Sequence, residues 1–284
     1  MVYIPILGAL ALAAGTVLEK SILRKRILDI KKYQTLVFLA IVLAMVPFIC
    51  FFWKLDAEAL SLKNILIFLG VVAFSIVANL FTFYSLKREK VTNLEPARLL
   101  EPLFIILIGL IFSFIFGEIL YERNIKIIIP AFIAASALIF SHLKKYHLEF
   151  NRYFISAILG SFFFALELVV SVLILDFYSP ITFYFFRCAS IFLISLAVFR
   201  PKFSGLDKKT YWMIFLVGAV WVLYRVIVYY GYLTYGIMFT TLIIMLGPVF
   251  IYVLANRFLK EKLNWKNIVS AIVIIACVLY AILN

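Results

Sequence analysis

The strongest constraint on this chain is its series of long apolar runs, separated by links too short to hold a domain. A run of ~20 apolar residues, rising ~1.5 Å per residue, crosses a hydrocarbon core of ~30 Å. Within lipid every backbone N–H and C=O needs a partner in its own segment, so runs of this length fold as helices. The pattern predicts ten of them, at 3–22, 34–53, 64–86, 93–116, 124–142, 153–175, 181–199, 210–232, 236–258 and 265–283. Short links make helices adjacent in sequence antiparallel neighbours in space.

Hydrophobic residues make up 66% of the chain and charged ones 14%. That is more apolar surface than a water-soluble core of this length has to bury, so the class is all-α integral membrane protein. The net charge of +13 raises the question of nucleic acid. The basic residues lie in the links, however, where they set topology, and no nucleic-acid partner is expected. The first run, Ile4–Leu18, is followed rather than preceded by basic residues, so it is expected to span and not to be cleaved as a signal. Cys50, Cys188 and Cys277 lie far apart inside apolar runs and are expected to be packed thiols.

Orientation follows from a count. The links after helices 1, 3, 5, 7 and 9 carry twenty Lys and Arg residues, from Lys20 to Lys266. The opposite side carries four, Lys54, Lys63, Arg123 and Lys126. Positive residues stay in the cytoplasm, which places the odd-numbered links there and both termini outside. The plasma membrane is the expected location.

The chain also repeats. Tyr84 and Tyr230 stand in the same relation as Pro102 and Pro248, each tyrosine ending a run and each proline lying within the next. Further on, Glu118 and Asn124 match Glu261 and Asn267. Each half, 1–147 and 148–284, holds five helices. An odd number forces the halves into opposite orientations, so the expectation is ten transmembrane helices in two inverted five-helix repeats.

Five plus five helices, a proline midway along helices 4 and 9 and an acidic residue just past each resemble the drug/metabolite transporter superfamily, and within it the EamA-type transporters. The resemblance implies that helices 1, 3, 4, 6, 8 and 9 surround a central substrate cavity. It also implies that Arg187 is the family's helix-7 arginine and Ala14–Gly15 its small stretch in helix 1. Glu19 after that stretch is unusual, the helix-2 arginine has no counterpart in this chain, and members commonly keep both termini in the cytoplasm.

Charges within the membrane are the informative residues, because each costs roughly 2.5–3.5 kcal/mol on an insertion scale. Glu95, Arg98 and Glu101 share one side of helix 4, with the arginine between two carboxylates. Glu167, Arg187 and Arg225 fall on the non-cytoplasmic side of the midplane, Glu19, Asn79, Glu95, Arg98 and Glu101 on the cytoplasmic side. Glu101, Arg225, Glu167, Arg98, Asn79 and Trp221 are the expected substrate-binding residues. Glu101, Glu167 and Glu19 are the candidate proton carriers. Pro102 and Pro248 each remove a helical hydrogen bond and are the candidate helix breaks.

Structural readings stand beside these. Arg187 also fits a residue binding helix-end carbonyls, Arg98 one that only neutralises its neighbours, and Glu19 an interfacial residue beside Lys20. Tyr84, Tyr229, Tyr230, Tyr232 and Tyr235 fit a membrane-interface belt as well as a cavity wall. Glu118 and Glu261 suit helix-end roles, and His142 and His147 a solvated link.

The reading is a secondary transporter moving a small metabolite, such as an amino acid or similar zwitterion, by alternating access with proton coupling or exchange. No Gly-rich phosphate loop, HExxH or GxSxG occurs, so no enzyme activity, cofactor or metal is expected. An organic-phosphate or nucleotide-sugar exchanger is the alternative, and a membrane enzyme or assembly factor a more distant one. The expected partners are a small-molecule substrate and the lipid bilayer, with the chain a monomer or homodimer. A cysteine placed in the 200–209 link should resist an impermeant thiol reagent in intact cells; labelling there would reverse the predicted orientation.

Overall fold

A computed structural model describes residues 3–23, 28–88, 94, 97–117, 121, 123–142, 152–250 and 265–283. They form ten α-helices: α1 (Tyr3–Leu23), α2 (Ile30–Ile49), α3 (Leu62–Arg88), α4 (Leu100–Phe116), α5 (Ile125–His142), α6 (Arg152–Leu175), α7 (Pro180–Phe199), α8 (Lys208–Tyr235), α9 (Ile237–Ile244) and α10 (Trp265–Leu283). No strand occurs among the described residues, only an isolated antiparallel bridge between Leu55 and Tyr178. Seven helices, α1, α2, α3, α6, α7, α8 and α10, are long and apolar enough to cross a membrane. The apolar helices of α4, α5 and α9 are shorter.

Three predicted helices differ from the sequence reading in ways that matter. Helix α2 starts at Ile30 rather than 34, with the Asp29 carbonyl accepting from Tyr33 N, which draws Tyr33 out of the predicted link. Helices 4 and 9 are not continuous over 93–116 and 236–258. Helical geometry is interrupted at Leu99 and again at Met245, each three residues before a proline. Pro102 therefore stands in the first turn of α4, not midway along it, and Pro248 in the helical stretch 246–250. A proline ring excludes the carbonyl four residues earlier, here those of Arg98 and Ile244. The Arg98 carbonyl accepts from Ser161 Oγ at 3.5 Å. Glu95, Pro96, Glu118, His147, Glu261 and residues 251–264 lie outside the described residues.

The helices pair across the two halves of the chain. Helix α3 packs on α6, α1 on α8, α5 on α10, α2 on α7 and α8, and α4 on α6. Shifting every number by five maps α3–α6 onto α8–α1, α4–α6 onto α9–α1 and α2–α3 onto α7–α8, all of which touch. Small residues permit the closest crossings, since lipid supplies no hydrophobic drive between helices and packing must do so. Gly160 of α6 lies against Thr82 of α3, and Gly218 of α8 against Ala40 of α2.

One end of the bundle is sewn between halves. Asp56 N donates to Phe177 O at 2.9 Å and Ser179 N to Lys54 O at 3.2 Å. Ser179 then caps α7, its Oγ accepting from Thr182 N at 3.2 Å, with Pro180 following in the first turn.

A Cβ at Gly218 would stand 3.0 Å from the Ala40 carbonyl carbon and from Ile41 N, whereas one at Gly70 of α3 meets nothing within 4 Å. Gly218→Ala should therefore cost about 1–3 kcal/mol of stability. Gly70→Ala should be neutral or stabilise by up to ~1 kcal/mol. Unfolding of both variants in detergent checks the pair, and equal effects would contradict the packing.

Candidate functional site

Helix α8 supplies one wall of the interior. Trp221, Arg225 and Tyr229 recur every four residues, which puts them on one side of the helix. Facing them from the middle of α6 is Glu167, which has no solvent exposure. Its Oε1 accepts from Tyr229 OH at 2.8 Å and from Arg187 Nη1 of α7. Arg187 Nη1 also bonds the Tyr229 hydroxyl. Arg225 Nη2 approaches Glu167 Oε2 to 3.7 Å. A buried carboxylate thus meets two arginines and a phenol, each from a neighbouring helix, and this company is what makes its charge tolerable at that depth. Aromatic rings pack the guanidinium groups: Tyr184 lies 5.0 Å from Arg187, and Phe164 5.5 Å from Arg225.

The chain of charges continues. Arg225 lies within electrostatic reach of Glu101 on α4, which also senses Arg98. Arg98 in turn senses Glu19 of α1. Glu19 is buried and accepts from Tyr33 OH at 3.0 Å. The sequence Glu19, Arg98, Glu101, Arg225, Glu167, Arg187 alternates in sign and is drawn from α1, α4 and the residues just before it, α6, α7 and α8. It is not fully saturated: Glu167 Oε2, Arg225 Nη1 and Arg187 Nε are buried without a hydrogen-bond partner.

Two cavities open onto this chain. One of about 80 Å³ is lined by Glu19, Asn79, Arg98, Glu101, Arg187, Trp221 and Arg225 among others. The other, of about 110 Å³, has Arg98, Glu101, Pro102, Tyr224, Tyr232 and Pro248 in walls that are otherwise mainly aliphatic. Leu12, Arg98, Glu101 and Tyr224 belong to both. Arg187 and Arg225, which the sequence assigned to one side of the midplane, therefore share a lining with Glu19, Asn79, Arg98 and Glu101, assigned to the other.

Several expectations change. Arg187 binds Glu167 and Tyr229 rather than helix-end carbonyls. Glu19 is an interior residue, not an interfacial one. Glu167 is in the lining of neither cavity and stands behind Arg225 and Arg187. Asn79 spends its amide on its own helix, Nδ2 donating to Ser75 O at 2.7 Å. Tyr229 and Tyr232 are interior, while Tyr230 is exposed and Tyr84 packs on Tyr153 near the end of α3.

Tyr33, Tyr224 and Tyr184 escaped the sequence reading. Tyr33 was placed in a link, although Asp29 four residues earlier is a possible helix start. Tyr224 and Tyr184 adjoin arginines, and only the fold shows which tyrosines turn inward. The described residues contain no group of three or more His, Cys, Asp or Glu that could hold a metal ion, and the three cysteines are unbridged, Cys50 exposed and the other two buried.

Glu167→Ala leaves Arg187 and Arg225 buried with their shared counter-charge removed, and should cost about 3–5 kcal/mol. Tyr229→Phe removes one donor and should cost about 1–3 kcal/mol. Denaturant unfolding in detergent measures both; a Glu167→Ala protein as stable as the parent would show that the cluster does not hold the helices.

Comparison with known proteins agrees with this architecture. A protein of known crystal structure superposes with a TM-score of 0.72 at 13% identity, over 99% of this chain and 96% of its own, a likeness of fold. No curated protein sequence matches the chain significantly. The sequence model of the EamA-like transporter family matches twice, over residues 1–142 and 151–283. With nearly the whole length matched and a polar cavity enclosed by apolar helices, the chain is a multi-pass membrane protein that belongs to the EamA-like transporter family.

Proposed function

We propose that this chain is a secondary transporter for a small zwitterion, an amino acid or close analogue, in the plasma membrane. The observation that carries the reading is the balanced chain of three acids and three arginines around the cavities, with buried valences still open. Unpaired charge is costly in a low-dielectric interior, so such a site favours a ligand that brings one charge of each sign. An organic phosphate brings a surplus of negative charge that three opposing carboxylates resist.

In this reading Arg225, through its unpartnered Nη1, anchors the substrate carboxylate with a planar fork of donors. Glu101 takes the substrate ammonium or the coupling proton, with Glu19 as the second acidic group and Arg98 between them. Glu167 is a positioning residue that holds Arg225 and Arg187. Trp221 and Asn79 shape the wall. The ten helices all span, in two inverted halves, 1–147 and 148–284, with the odd-numbered links in the cytoplasm. The pairing pattern that repeats under a shift of five helices supports this arrangement, which puts the site between the halves. The breaks at Leu99 and Met245 give each half a hinge beside the cavity for alternating access.

Thermal unfolding of the purified protein with amino acids, organic phosphates and cationic drugs tests the substrate class, because a ligand of the folded state raises its apparent stability. Amino acids should stabilise; stabilisation by organic phosphates alone would overturn the reading. Arg225→Lys should lose at least tenfold in affinity for the stabilising amino acid, since an ammonium lacks the bidentate fork. Glu101→Gln should fold with stability close to the parent's and lose gradient-driven uptake in liposomes. A strongly destabilised Glu101→Gln, or one that transports with unchanged pH dependence, would remove Glu101 from the mechanism.

A further inference from the structure

A third opening lies away from the polar chain, at the end of the bundle where α2 and α6 begin and α3 finishes. It is a groove of about 520 Å³, within the ~300–1,000 Å³ range typical of ligand sites. Its mouth carries Asp29, Lys31, Tyr84 and Arg152, and its floor is apolar, with Phe81, Ile155 and Leu159. The floor continues along the outward face of α6, where Ile155 and Leu159 are exposed.

Among the described residues the charge at the mouth is not balanced. Asp29 already has Lys87 at 3.9 Å. Lys31 and Arg152 are exposed and, among the described residues, neither has a carboxylate partner. Lys31 Nζ lies 5.7 Å from the Phe199 ring centroid, and Arg152 donates to Tyr153 OH at 2.8 Å. Two cations therefore border an apolar trough whose Ile155 and Leu159 are exposed on the side of a spanning helix. A soluble anion would use the cations and leave the trough empty; a hydrocarbon chain would use the trough and ignore the cations.

We propose that this groove binds an anionic phospholipid, its phosphate held by Lys31 and Arg152 and one acyl chain lying over Phe81, Ile155 and Leu159. Basic pockets between membrane helices on the cytoplasmic side take acidic head groups by the same combination of charge and apolar contact. Binding there would bridge α2, α3 and α6, and so tie helices from both halves of the chain at one end of the bundle. The site is independent of the transport reading, because it shares no lining residue with either polar cavity.

The test uses the full chain, delipidated in detergent and titrated with phosphatidylglycerol, phosphatidylcholine or inorganic phosphate, with bound lipid counted by native mass spectrometry. Phosphatidylglycerol should bind at least tenfold more tightly than phosphatidylcholine. Lys31→Gln with Arg152→Gln should abolish that preference, and Leu159→Trp, which fills the trough, should weaken binding of phosphatidylglycerol. Lys63→Gln with Lys126→Gln, the same charge change elsewhere on the surface, should leave the preference intact. Equal binding of the two lipids, equal loss in the control pair, or displacement of phosphatidylglycerol by equimolar inorganic phosphate would each overturn the proposal. Thermal unfolding of each variant verifies that both changes act on folded protein.

Discussion

A fully buried carboxylate in the middle of a membrane helix has to be answered by its neighbours. Glu167 is answered by Arg187, Arg225 and Tyr229. In a low-dielectric interior, separating these groups would strand charges at a cost of several kcal/mol each, far above the few tenths gained by a typical side-chain packing contact. The cluster therefore fixes the relation of α6, α7 and α8. From there the alternating charges reach Glu101 and Arg98 by α4 and Glu19 on α1. The cluster is not fully satisfied: Arg225 Nη1 and Glu167 Oε2 are buried without a hydrogen-bond partner, and Arg225 lines a cavity.

Packing of the halves joins their polar groups. Glu167, Arg187, Arg225 and Tyr229 all belong to the second half and Glu19 and Tyr33 to the first, and because first-half helices pair chiefly with second-half ones, Glu101 of the first comes within electrostatic reach of Arg225 of the second. Gly160 and Gly218 bring α6 and α8 close enough to α3 and α2 for such short side-chain reach. The two proline-linked interruptions leave Arg98 and Ile244 with carbonyls outside the helical ladder beside the cavity. At one end, the bridge between Leu55 and Tyr178 joins a first-half link to a second-half link by backbone hydrogen bonds, which no side-chain substitution removes.

Helix number, apolar character and the family's two-part pattern were legible in the sequence, since hydrocarbon leaves a backbone few options and a run of apolar residues declares itself. The identities of the interior charges were legible too, because an ionisable residue inside an apolar run has no innocuous reading. Their partnerships were not. Glu167 and Arg187 are twenty residues apart on different helices, and Arg225 lies a further helix away, so no local spacing encodes their contact. Tyr229 also fits an interface belt, and Tyr33 a link, until the fold turns one towards Glu167 and the other towards Glu19.

The sequence by itself determined that this chain is a membrane-embedded helical protein with charges it must hide. Periodicity, run length and the position of basic links are local properties, set by the transfer of each segment between water and lipid. Only the tertiary structure decided which charges neutralise one another and that Glu167 stands behind the cavity lining rather than in it. Those outcomes depend on helix rotation and close approach, which are fixed by the fit of Gly160, Gly218 and their neighbours across the bundle and by no residue's own preference.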